Sequence, residues 1–155
     1  MSLFKSAAFW MRIAAAVMLL FAGFHSWGFS RSISPLADGV VRAMKGTDFI
    51  AAGSTVNYWG FFLGFGYSLG LFMVAQAAFM WMVGNRLARG EKQTVEIVVL
   101  FLCNLANLGL LLRFFFLQPQ IMTVLILVLL ALTLVLSLAV PPTNRAGPST
   151  VPDRP

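Results

Sequence analysis

The sequence predicts an all-α protein, a bundle of four transmembrane helices with a short amphipathic helix in the first external loop. Composition carries the first half of that reading: 59% of the 155 residues are hydrophobic and 10% are charged, against about 25% charged in an ordinary soluble domain. Mean hydropathy is +0.86. The second half comes from four stretches free of charge. Each bilayer crossing needs about 20 apolar residues, so four use about 80 and leave room for loops and a tail.

The first stretch, Ile13 to Ser30, follows Lys5 and Arg12, an arrangement shared with secretory signals. Its end, Phe24-His25-Ser26-Trp27-Gly28, lacks a small-x-small cleavage site and holds an interfacial Trp. It is therefore read as a retained span over about 9–29. The connection from Arg31 to Val56 is too long for a simple turn. Ser34 can cap a helix there, Pro35 suits its first position and Gly46 can end it. Leu36, Val40, Val41 and Met44 then share a face opposite Asp38, Arg42 and Lys45, as in a helix lying on a membrane or on the bundle mouth. A binding lid is the alternative.

The second span, about 58–83, opens with Asn57-Tyr58-Trp59 and carries Trp81 near its other end, where amphipathic rings favour the interface. Gly60 with Gly64 and Gly66 with Gly70 are small-xxx-small pairs that admit a close helix. Packing within the bundle, homodimerisation, and a flat ligand lying on bare backbone are the three uses open to them. The third span covers about 95–113. The fourth, about 120–140, is Leu-, Ile- and Val-rich on every face, begins near Pro119 and is stopped by Pro141 and Pro142. Residues 1–141 thus form the transmembrane domain, and 142–155 read as a disordered tail with no apolar face to bury.

Eleven Lys and Arg against five Asp and Glu give a formal charge of +6. Basic residues beside spans set topology and touch lipid headgroups, and no basic stripe interleaved with aromatics points to nucleic acid. Lys5, Arg12, Arg86, Arg89, Lys92, Arg145 and Arg154 fall on one side; Arg31, Arg42, Lys45 and Arg113 fall on the other. That imbalance puts both termini in the cytoplasm, with the chain in the cell inner (plasma) membrane. The lone Cys103 cannot form an intrachain disulfide.

Polar residues at membrane depth must face a partner or a cavity. His25 lies about a turn from the outer end of span one, Tyr67 about 13 Å into span two, and Asn104 and Asn107 about 9–14 Å in from Arg113 on span three. If the first three spans pack together, these residues line a small pocket opening outward, with Arg113 as anchor for an anionic group. Each also has a plainer use: His25 as an interfacial hydrogen bond, the Asn pair as interhelical contacts, Arg113 as a snorkelling cation.

No Asp or Glu lies inside a span, Glu96 being at the edge of the third, so a carboxylate proton relay or metal cage has no ligands there. One His and one Cys cannot build a zinc site, and neither a Walker loop nor a dinucleotide fingerprint is present. Ser26 beside His25 has no acid to complete a triad. No cofactor is expected, and enzymatic activity is disfavoured.

The run Gly23-Phe24-His25-Ser26-Trp27-Gly28, then Met44, Phe49 and Gly53, then Asn57-Tyr58-Trp59-Gly60-Phe61-Phe62-Leu63-Gly64-Phe65-Gly66, resembles an uncharacterised family of small bacterial four-helix membrane proteins, loosely DoxX-like. The resemblance covers roughly the first half of the chain. It implies four helices, carries no activity, and draws attention to His25, Tyr58 and Trp59. Two functions follow from the residues. One is a non-enzymatic accessory bundle packing with a second copy or another membrane protein. The other is a bundle that binds, or acts on, a lipid, quinone or isoprenoid-like molecule in an outer-half pocket near His25 and Arg113.

Overall fold

The computed structural model describes residues 6–30 and 37–139. The helix α1 runs Ala7–Ser30, followed by a short α2, Asp38–Lys45, and a hairpin of β1, Asp48–Ala51, with β2, Ser54–Asn57. Three long helices complete the chain: α3 Tyr58–Ala88, α4 Thr94–Phe114 and α5 Leu117–Ala139. Four helices are long and apolar enough to cross a membrane, so this is a multi-pass membrane protein. The predicted tail at 142–155, together with Ser34, Pro35 and Leu36, lies outside the described residues.

Helix boundaries follow local chemistry. Asn57 caps α3, its Oδ1 accepting from the Trp59 and Gly60 amides, which would otherwise lack partners. α3 continues past the predicted end at 83 because nothing interrupts it before Gly90, whose φ of +78° ends the turn. Pro119 sits in the first turn of α5, where its missing N–H leaves no helical bond unmade. Gln120 reaches back to the Leu111 and Phe115 carbonyls, closing the end of α4.

The four long helices neighbour one another in the order α3, α1, α5, α4, and all contribute to one core of Met, Ala, Leu and Ile side chains. On α3 the buried positions include Gly66, Gly70, Met73, Ala77, Met80 and Gly84, with Val83 beside the last; on α1 they include Ala8, Met11, Ala15, Met18 and Ala22. Spacings alternate between three and four residues, a 3.5-residue period that keeps a seam facing its partner when two helices wrap left-handed. Every seventh residue is small: Ala8, Ala15 and Ala22 on α1, and Gly70, Ala77 and Gly84 on the antiparallel α3. Without a hydrophobic force between helices in lipid, such close backbone approach is what holds the pair. Pro119, Thr123, Ile126, Leu130 and Thr133 repeat the period on α5.

The hairpin departs from an all-helical expectation. Phe49 pairs with Val56 and Ile50 with Thr55 across it, while Ala52 and Gly53 both have positive φ, as a tight two-residue hairpin turn requires. The Phe49 ring packs 4.4 Å from Tyr58 and 5.6 Å from Phe61, and the Tyr58 amide donates to Thr47 O at 3.1 Å. These contacts root the hairpin on the first turn of α3. α2 ends at Gly46 and buries none of its residues.

Candidate functional site

Two polar clusters lie at opposite ends of the α1–α3 pair. At the hairpin end, His25 Nε2 donates to the Gly66 carbonyl oxygen at 3.0 Å. Gly70, one turn further along α3, is so close to α1 that a Cβ there would lie 2.7 Å from Ser26 Oγ and 3.7 Å from His25 Cδ2. The two glycines thus give α1 a bare strip of backbone against which its only imidazole is held. The other pair faces elsewhere: Gly60 and Gly64 have open space where a Cβ would be.

Tyr58 and Tyr67 are exposed, and Trp59 is half-buried with the Lys45 ammonium 5.4 Å from its ring. On α4, Asn104 is buried and its Nδ2 donates to Leu100 O of the same helix at 2.8 Å. Asn107 and Arg113 are exposed, and the Arg113 guanidinium lies 5.6 Å from the Phe114 ring. The premise for a shared pocket was that the first three spans pack together. α1 and α3 do, but α4 makes its main contact with α5, so His25 and Arg113 belong to different helix pairs. Buried hydroxyls are likewise satisfied locally, Thr123 by Pro119 O and Thr133 by Leu129 O.

The second cluster, at the end bearing the α3–α4 loop, centres on Arg12. Its Nη2 donates to Asn85 Oδ1 at 2.8 Å, and its guanidinium carbon lies 5.6 Å from the Trp81 ring. Sequence reading counts Arg12 only as a topological charge. The signal that could have marked it is register, because Arg12 follows Met11 and Asn85 follows Gly84, adjacent to the seven-residue repeats of both helices.

Among the described residues no group of His, Cys, Asp and Glu is arranged to hold a metal ion. No family model matches the chain, and no curated protein or solved structure matches it either.

Proposed function

We propose that this protein is a non-enzymatic packing subunit of a membrane assembly, joining a second copy or another membrane protein through the hairpin half of α3. The observation that carries this reading is the unequal use of the two glycine pairs. Gly66 and Gly70 are buried in the α1–α3 pair, whereas Gly60 and Gly64, on another face, meet nothing. Beside them Phe61 and Phe65 are exposed and stacked, with ring centroids 6.3 Å apart. A helix presenting bare backbone flanked by flat rings suits close approach by another helix. In this reading the amphipathic α2 lies on the membrane surface and both termini are cytoplasmic in a plasma membrane.

The test is the assembly state in mild detergent, measured by native mass spectrometry, for the wild type and for a Gly60→Leu, Gly64→Leu double variant. Loss of a homomeric or heteromeric complex with unchanged monomer stability is the expected result. A wild type that is monomeric and without protein partners overturns the proposal. The competing reading, a lipid, quinone or isoprenoid-like ligand near His25 and Arg113, draws support from the imidazole at the hairpin end. In the same spectra it requires a small molecule lost on His25→Ala.

A further inference from the structure

We propose that the loop-bearing end of the α1–α3 pair is a binding site for the phosphate of one anionic phospholipid, with Arg12 as its principal ligand. Arg12 stands five residues into α1, about 8 Å along the helix axis. A 24-residue helix is about 36 Å long and spans a hydrocarbon core of about 30 Å, so Arg12 departs from the chain near the core's edge. A guanidinium at that depth needs an acceptor.

α3 orients this charge without neutralising it. A Cβ on Gly84 would lie 3.0 Å from Arg12 Cγ, so the glycine clears the track along which the arginine stem crosses α3. The ring of Trp81 and the amide oxygen of Asn85 then hold the head, and both are neutral. The ion pair among the described residues joins Arg89 and Glu91, not Arg12. Among the described residues, Arg12 Nε is sealed from solvent with no acceptor, while Nη1, also without an acceptor, is not among the sealed atoms. Asn85, fixed through its Oδ1, has its Nδ2 donor unused by any described residue beside the guanidinium.

An accessible guanidinium edge next to a free amide donor is chemistry for tetrahedral oxyanions. A lipid fits better than a protein carboxylate because the site lies at the end of a span, beside a half-exposed Trp81. Arg86 and Lys92, exposed at the same end, add to the attraction for an anionic surface.

The experiment is native mass spectrometry of the full chain in mild detergent, titrated with phosphatidylglycerol or phosphatidylcholine, alongside thermal unfolding under the same additions. Expected are one phosphatidylglycerol retained in preference to phosphatidylcholine, an affinity lowered about tenfold or more by Arg12→Gln, and a clearly smaller loss with Arg86→Gln, whose charge acts only at long range. Millimolar inorganic phosphate should not displace the lipid. Equal retention of the two lipids overturns the proposal, as does equal loss in the two variants, displacement by inorganic phosphate, or an acidic protein found in the lipid's place. If Arg12→Gln does not fold, the wild type still decides, because its unfolding temperature must rise with phosphatidylglycerol and not with phosphatidylcholine.

Discussion

A Cβ on Gly70 would sit 2.7 Å from the hydroxyl oxygen of Ser26, so α3 passes α1 closely enough that the two side chains would collide as they stand. The obstructing atom is the end of a short side chain that can rotate away. Gly70→Ala should therefore be nearly neutral, since relief of glycine's helix penalty, about 1 kcal/mol, offsets the hydroxyl's displacement. Gly70→Leu has no such escape and should destabilise by about 1–3 kcal/mol or more. Thermal unfolding in mild detergent checks both, and an unfolding temperature equal to wild type for the leucine variant would show that the seam is looser than the structure has it.

The bond from His25 to the Gly66 carbonyl needs hydrogen on Nε2. Interhelical hydrogen bonds in membranes contribute about 0.6 kcal/mol on average and up to about 1.7. His25→Ala should lower stability by about 1 kcal/mol, and His25→Gln, which keeps an N–H donor, should recover part of it. Detergent unfolding of the three proteins is the measurement. A loss several times larger would mean that the imidazole supports more than this bond.

The four spans were legible because each is a long run without charge, and in lipid a helix satisfies every backbone group within one segment. Glycine pairs flagged α3 as a packing helix, but the sevenfold repeat of small residues through Ala8, Ala15 and Ala22 is a better guide to its partner. Adjacent alanines obscure it, since Ala7, Ala14 and Ala16 interrupt the pattern. The hairpin escaped notice because Ala52-Gly53 is a weaker turn signal than Asn-Gly and the strands have four residues each. Which polar residues of different spans face one another is not readable in the same way. Depth along each span is readable from residue counts, whereas the neighbour order α3, α1, α5, α4 is set by side-chain fit among helices of nearly identical hydropathy.

Asn57 joins three elements. Its Oδ1 caps α3, and its Nδ2 donates to Lys45 O at the end of α2 and, at 3.2 Å, to Asp48 of β1. Asn57→Ala should cost about 1 kcal/mol for the cap alone and speed amide exchange at Trp59, Gly60 and Tyr58 together. Asn57→Asp separates the two roles. A carboxylate still caps the helix and suits its positive end, yet it loses the donor and faces Asp48. Exchange at Trp59 and Gly60 should then stay slow while Tyr58, whose amide closes the hairpin onto Thr47 O, becomes faster.

At the hairpin tip Ala52 has φ +49° and Gly53 φ +82°, a left-handed pair that disfavours any side chain, by roughly 1–2 kcal/mol for an L-residue. Glycine at position 52 relieves that strain but adds entropy to the unfolded chain, so Ala52→Gly should gain only about 0.5 kcal/mol. Ala52→Asn should gain about as much or more, because asparagine tolerates this region. Gly53→Ala must go the other way, losing about 1 kcal/mol. Amide exchange within the hairpin reads all three. Ala52→Gly and Gly53→Ala remove and add the same methyl, so Ala52→Asn is the deciding variant: it enlarges the side chain, and a gain there as well as in Ala52→Gly traces the effect to backbone conformation, whereas a loss would mean that the turn has another geometry.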